Sequence, residues 1–401
     1  MTTSEVFLIA IILVFGAPYI LWRLCNMDYY APLVVVQMIV GISLGPAMLG
    51  SAYPSYYALI FSSPVVQALS GLAWWGVMIF VMLAGIELDL GETWKHRRES
   101  AITASLALGS PLLLGGVAAF ILQSYGNWAG ALAEQWQFIL SVGMACSVTS
   151  LPILILLLEK LDIMRAPLGQ RVLRYASLDD VVIWAVLAVI LLDWQRVGQQ
   201  AAMLAGFALV APLYRALMVR LNEQDRWYVA LLWLAICGFA SDRAGLHYMV
   251  GAFLAGLVTE ASWFEQRKLD MARSHVLMIL MPAYFLITGL RTNWSVGSSS
   301  ILVATALLLV AAIGGKLAGL RIAGKILNWS NDESDILGWL LQTKGLIMIV
   351  FANILLDKQL ISNDMFAALM LMAIVSTMLT VPVIYPKLQG RQLPSKGAEL
   401  T

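Results

Sequence analysis

The chain has 401 residues, 60% of them hydrophobic and only 12% charged, with a mean hydropathy of +0.82, whereas a soluble domain carries about 25% charged residues. That excludes a soluble globule and leaves an all-α polytopic membrane protein. A formal net charge of +1 implies no bulk attraction for nucleic acid or an acidic substrate, so the information lies in where the charges sit.

At a rise of 1.5 Å, about 20 apolar residues cross a hydrocarbon core of ~30 Å. Thirteen runs fit, at 5–24, 31–49, 66–88, 100–122, 137–158, 172–192, 199–218, 227–240, 248–262, 274–290, 300–323, 336–356 and 365–385. The first has no basic stretch before it and is long enough to span, so it reads as a helix rather than a cleavable signal. With the N-terminus outside, inner loops and the tail hold 19 Lys and Arg, from Arg23 through Arg171, Arg174 and Arg273 to Lys396. Outer loops hold four, Arg196, Arg243, Arg291 and Lys358, and Lys316 and Lys344 fall inside helices. This bias fits the positive-inside rule, and losing one helix would scramble the alternation downstream. Trp22, Trp94, Trp128, Trp136, Trp194, Trp227, Trp263, Trp294 and Trp329 sit at helix ends, as an interfacial belt would. Cys25, Cys146 and Cys237 lie far apart and match no metal spacing, so no disulfide, metal cluster or cofactor is expected.

Divided as six helices, a linker and six more, the halves enter the membrane from opposite sides, as inverted repeats do. The fifth helix of each half, helices 5 and 12 of the chain, carries polar breakers: Ser147, Thr149, Ser150 and Pro152 in one, Gln342, Thr343, Lys344 and Gly345 in the other. Interrupted helices at matching repeat positions point to a transport site at the midplane. Backbone freed there must line a cavity or be buried in protein, because lipid cannot satisfy it.

Asp179 and Asp180 fall near the middle of helix 6, where each charge costs roughly 2.5 to 3.5 kcal/mol. Adjacent helical residues point about 100° apart, so one carboxylate can meet a neighbouring helix while the other faces a cavity. Lys316, in helix 11 among Gly314, Gly315, Gly319 and Gly324, is the natural counter-charge for Asp179. A hard monovalent cation prefers oxygen ligands, which Asp180, Asp179 and the hydroxyls of Thr149 and Ser150 supply. Cation and proton would then compete for one site, a coupling mechanism for exchange. The plainer alternative is an ion pair that only holds helices together. Lys344 either neutralises the carbonyl ends of the half-helices at their crossing or snorkels inward.

Other functions fit less well. A membrane aspartyl protease needs carboxylates on facing helices, whereas these are adjacent on one, and no Gly-x-Ser-x-Gly or phosphate-cradling loop is present. A passive channel needs neither buried titratable pairs nor inverted broken helices. His96 and His275 fall in inner loops, His247 opens helix 9, Arg291 at the end of helix 10 either clamps the scaffold or reaches headgroups, and Glu87, Asp89, Glu92, Lys95, Arg97 and Arg98 form a surface charge cluster at the inner end of helix 3.

Five segments together resemble the monovalent cation:proton antiporter-2 family of sodium/hydrogen exchangers over nearly the whole chain. They are the Gly-Pro turn of Gly41-Ile-Ser-Leu-Gly-Pro46, Leu83-Ala-Gly-Ile-Glu-Leu-Asp89, Val250-Gly-Ala-Phe-Leu-Ala-Gly256, Pro282-Ala-Tyr-Phe-Leu-Ile-Thr-Gly-Leu-Arg-Thr292 and Gln342-Thr-Lys-Gly345. The resemblance implies one membrane domain over 1–401 that forms a homodimer in lipid. Scaffold helices would lie at 5–90 and 227–291, a moving core at 100–193 and 300–386, a linker helix at 199–219 and a cytoplasmic tail at 387–401. It implies that Asp180 carries cation and proton, that Asp179 pairs with Lys316, and, from the Asp-Asp pair, electrogenic exchange of Na⁺, with Li⁺ as a second ion and K⁺ as the alternative. Leu346 and Met348 stand where family members often have Glu after the Lys-Gly, so cation preference does not carry over. The chain ends about 15 residues after helix 13 without the nucleotide-binding domain of glutathione-gated potassium efflux relatives, which disfavours that branch and a soluble regulatory domain. The inward positive charge fits a bacterial inner membrane.

Overall fold

A computed structural model describes residues 1–27, 32–46, 48–87, 97–161, 163–164, 166–193, 196–292 and 299–389. Asp89, Glu92, Trp94, Lys95, His96, Arg165, Trp194, Trp294 and the end of the tail lie outside the described residues, as does the side chain of Arg97. Among the described residues the fold is helical, with one isolated antiparallel bridge between Ala129 and Ile361.

Among the described residues, eight helices are long and apolar enough to cross a membrane, and the pair Asn331–Leu340 and Gly345–Asp357, bent by 51°, can make a ninth. The other four sequence segments are helical too, and each falls short for a physical reason. Gln135–Ser147 and Leu151–Lys160 are halves of an interrupted helix, and Tyr248–Leu257 has only 10 residues. Glu223–Arg243 is charged at both ends, and Pro167–Ile190 carries Arg171, Arg174, Asp179 and Asp180.

Some expected boundaries move. The segment expected at 31–49 stops at Leu44, because Pro46 cannot continue a helix, and short turns Leu49–Ala52 and Pro54–Ile60 follow. The segment expected at 248–262 ends at Leu257, where Thr259 and Glu260 turn to bond Tyr214 (2.9 Å) and Arg215. The segment expected at 274–290 begins earlier, as Gln266–His275, and passes through a wide turn at Val276–Leu280 into Met281–Arg291. Pro282 has no N–H for the carbonyl four residues back, and the wide turn sits just before it.

The chain divides into two compact units, Met1–Ile20, Val36–Leu90 and Val181–Val296 in one, and Leu21–Val35, Gly91–Asp180 and Gly297–Thr401 in the other. In the first unit, Val6, Ala10, Val14 and Pro18 recur every fourth residue and bury one face of Thr3–Leu24, while Leu8, Ile12 and Ile20 stay exposed. That face packs on Phe61, Val65, Leu69, Leu286 and Leu290. Here the family-like glycines are points of backbone contact: a Cβ on Gly289 would lie 2.3 Å from the Gly41 carbonyl carbon, and one on Gly256 would lie 2.1 Å from the Met82 oxygen.

In the second unit, Ser299–Leu327 lies against Arg97–Gln123, where a Cβ on Gly315 would come within 2.5 Å of Pro111 and one on Gly319 within 2.2 Å of the Leu106 oxygen. Gly314 faces open space. The glycines thus draw the helix that carries Lys316 close to its neighbour. Leu151, Leu154, Leu158, Val172, Ala176 and Leu337 belong to the core on which both broken helices and the aspartate helix rest.

Candidate functional site

The second unit contains both helix breaks and, among the described residues, the four buried charges Asp179, Asp180, Lys316 and Lys344. Gln135–Ser147 ends in extended backbone at Val148 (φ −51°, ψ 138°), and the chain resumes helix at Leu151. Asn331–Leu340 ends at Leu341 (φ −74°, ψ −2°), and Gly345 opens the next helix at φ +27°, a conformation that L side chains rarely adopt. A Cβ there would also strike Ile153 at 1.8 Å. The two breaks touch: Ser150 N donates to the Thr343 carbonyl at 2.7 Å, and Thr149 Oγ1 donates to the Leu341 carbonyl at 2.7 Å.

A helix end exposes carbonyls with no partner of their own, and in hydrocarbon each must find a donor. At the end of Gln135–Ser147 the donors are ammonium groups. Lys344 Nζ bonds the Cys146 carbonyl and, at 3.1 Å, that of Val148, while Lys316 Nζ bonds the Ser147 carbonyl at 2.8 Å. Both lysines are 0% exposed, so Lys344 caps the break and does not snorkel. At the end of Asn331–Leu340 the donors are neutral: Thr149 on Leu341, Ser376 Oγ on the Gln342 carbonyl at 2.9 Å, and Ser150 N on Thr343.

Asp179 enters this arrangement from Pro167–Ile190. Its Oδ2 lies 3.1 Å from Lys316 Nζ and 2.5 Å from Thr149 Oγ1, whose single proton is shared between that carboxylate and the Leu341 carbonyl. Asp180, 1% exposed, is the next residue on the helix. Ser150 is buried, and its hydroxyl bonds no other group among the described residues. The structure therefore brings Asp179, Lys316, Thr149 and Lys344 into one connected network at the crossing, with Asp180 and Ser150 each adjacent in sequence to one of its members. The described residues hold no group of three His, Cys, Asp or Glu placed as a metal cluster, and the donor set is oxygen and ammonium.

Several participants escaped sequence reading. The carbonyls of Cys146, Ser147 and Val148 carry no side-chain signature. Arg171, counted above as an inner-loop cation, sits within the aspartate helix, 3.1 Å from Glu99 and bonded to Glu333, with its guanidinium 4.6 Å from the Trp329 ring. Tyr175 also bonds Glu99. Arg171, Tyr175 and Asp179 recur at four-residue spacing, a signal that would have placed all three on one face. Trp128 and Trp263, expected in the interfacial belt, are buried at 6% and 8% exposure, because each packs into its own unit. Glu87, read as part of a surface cluster, pairs instead with Arg273 at 2.7 Å, and burial pushes its carboxyl above the ordinary range against the pull of that arginine. His247 caps Tyr248–Leu257, its Nδ1 accepting from Met249 N at 3.3 Å.

The profile described as sodium/hydrogen exchanger, transmembrane, matches residues 9–389. Cation/H(+) antiporter 18 of Arabidopsis thaliana is 28% identical over 375 residues, which cover 88% of this chain and 45% of the plant protein. The chain thus spans about half the length of such plant relatives. The Na(+)/H(+) antiporter NhaS4 of Synechocystis sp. is 26% identical over 380 residues, covering 89% of this chain and 92% of that protein. The solved sodium proton antiporter MjNhaP1 from Methanocaldococcus jannaschii has the same fold, with a TM-score of 0.65 at 11% identity over 96% of this chain and 97% of that one.

Proposed function

The chain belongs to the transmembrane sodium/hydrogen exchanger family, and from this and the buried charges we propose that it is a secondary active antiporter exchanging a monovalent cation for protons. The observation that carries the proposal is the fully buried Lys316–Asp179–Thr149 network beside Asp180, at the point where two broken helices meet. Charges so placed are expensive unless they are used.

In this mechanism Asp180 is the carrier, binding either a proton or a dehydrated cation, with Asp179, Thr149 and Ser150 supplying further oxygens. Lys316 holds Asp179, and Lys344 holds the crossing together. The site without either ligand carries an extra buried charge and is costly to move, whereas the loaded forms can change access. Breaking the Asp179–Lys316 pair during cation binding would release a second proton, which makes the exchange electrogenic. Thirteen crossings in inverted repeats, an outside N-terminus, a homodimer and a bacterial inner membrane complete the reading, with Na⁺ as the cation and K⁺ as the alternative at the same oxygens.

The test is proton movement in proteoliposomes holding a pH gradient, on adding Na⁺, Li⁺ or K⁺ in turn. The wild-type protein is expected to collapse the gradient with at least one ion, and Asp180→Asn with none. Cation-driven proton exchange by Asp180→Asn would refute the assignment of the carrier, and silence of the folded wild-type protein toward all three would refute the antiporter.

A further inference from the structure

A groove of about 550 Å³ runs along the first unit between Val197–Arg220 and Glu223–Arg243. The two helices are antiparallel neighbours joined at Leu221 and Asn222. They are held by stacked rings, Tyr214 on Trp233 at 4.7 Å and Phe207 on Trp233 at 5.8 Å. Farther from the turn the groove is lined by Met203, Gly206, Ile236, Phe239 and Ala240, and it ends at Gln199 and Arg243. From Gln199 to Val210 is three helical turns, about 16 Å, close to the ~15 Å depth of one leaflet's hydrocarbon.

The polar end is cationic. The Arg243 side chain makes no hydrogen bond or ion pair among the described residues. Arg196, just before the other helix, lies against the Gly245 turn, where a Cβ on Gly245 would meet it at 2.9 Å. It is held loosely, 3.7 Å from Asp193. Of the four cations that the sequence places in outer loops, Arg243 lines this mouth and Arg196 lies against the turn two residues beyond it. An apolar slot one leaflet deep with arginines at the headgroup level is complementary to an amphiphile bearing a phosphate.

We propose that this groove binds one acyl chain of an anionic phospholipid, whose phosphate is taken by Arg243 and Arg196. The site depends on the chain spanning a membrane and is independent of the transport mechanism. A bound lipid would fill the gap on a helix that otherwise buries few of its side chains, Gln200, Ala211, Tyr214 and Met218 among them.

The test is native mass spectrometry of delipidated protein offered equal amounts of phosphatidylglycerol and phosphatidylcholine with identical chains. The wild-type protein is expected to retain one phosphatidylglycerol preferentially, with the preference falling about fivefold for Arg243→Gln and to near parity for the Arg196→Gln, Arg243→Gln double variant. Nothing lies within 4 Å of a Cβ at Gly206, so Gly206→Phe can turn its ring into the slot, and it is expected to lose that lipid. Equal retention of both lipids by the wild-type protein, or an unchanged preference in Arg243→Gln, would overturn the proposal even if the Gly206 variant failed to fold.

Discussion

Neutralising one member of the Asp179–Lys316 pair should be far more damaging than neutralising both. Asp179 Oδ2 accepts from Lys316 at 3.1 Å and from Thr149 at 2.5 Å, and both charged side chains are at most 1% exposed. Asp179→Asn leaves the Lys316 ammonium without a counter-charge. Lys316→Gln leaves the carboxylate with Thr149 alone and the Ser147 carbonyl with a weaker donor. Breaking a buried pair by removing one partner costs about 3 to 5 kcal/mol, whereas replacing both partners is often close to neutral. At roughly 2 to 4 °C per kcal/mol for a unit of this size, each single variant should melt on the order of 10 °C below the wild-type protein. Asp179→Asn with Lys316→Gln should recover most of that loss, because Asn and Gln can still hydrogen-bond Thr149 and Ser147. Tryptophan-fluorescence melting in detergent reads all four proteins. A double variant no more stable than either single, with the two losses adding, would refute the pairing argument.

Lys344→Met removes the donor to the Cys146 and Val148 carbonyls; the same melting assay should show a loss of about 2 to 4 kcal/mol, from orphaned carbonyls and an unopposed helix end. At the end of Ser63–Ile86, burial raises the Glu87 carboxyl above its ordinary value of 4.5. A raised carboxyl contributes stability that is present below that value and lost as pH rises through the folded one. Glu87→Gln should therefore flatten the fall in melting temperature from pH 4.5 upward, and an identical slope in wild-type protein and variant would count against the burial argument.

The sequence was most legible where one physical requirement acts over many residues. A crossing demands about 20 apolar positions, and among the described residues every expected segment contains helix, with eight helices and one bent pair long and apolar enough to span. Boundaries were less legible where a single residue decides them, as at Pro46 and before Pro282. Within the site, charged side chains announced themselves by being out of place in apolar runs, which is why Asp179, Lys316 and Lys344 could be singled out. The pairing of Asp179 with Lys316 followed from charge, whereas the Cys146, Ser147 and Val148 carbonyls that the two lysines also bond could not be read, because backbone carries no sequence signature. The partners of Arg171 are likewise hidden, since Glu99 and Glu333 lie 72 and 162 residues away in the chain. Beside an inner loop, Arg171 satisfied the charge bias equally well as a solvated residue, and only the fold shows it fastening the aspartate helix to its neighbours.

The two half-helix ends are answered differently, and this asymmetry bears on the proposed exchange. Each end concentrates roughly half a negative charge on its last carbonyls. Two ammonium groups meet the end of Gln135–Ser147, while hydroxyls and an amide meet the end of Asn331–Leu340. With Lys344 committed to the carbonyls of the helix end, ionised Asp179, Asp180 and Lys316 leave the carrier site one negative charge in excess. A cation at Asp180 cancels that excess, and so does a proton. The two loaded states therefore carry equal charge, and swapping one ligand for the other leaves the electrostatic cost of crossing unchanged. Any stoichiometry above one proton per cation requires a second group to change its charge as the cation binds. Lys316, tied to Asp179 on one side and to the Ser147 carbonyl on the other, is placed to do so, because a cation drawing on the Asp179 oxygens competes directly for its counter-charge.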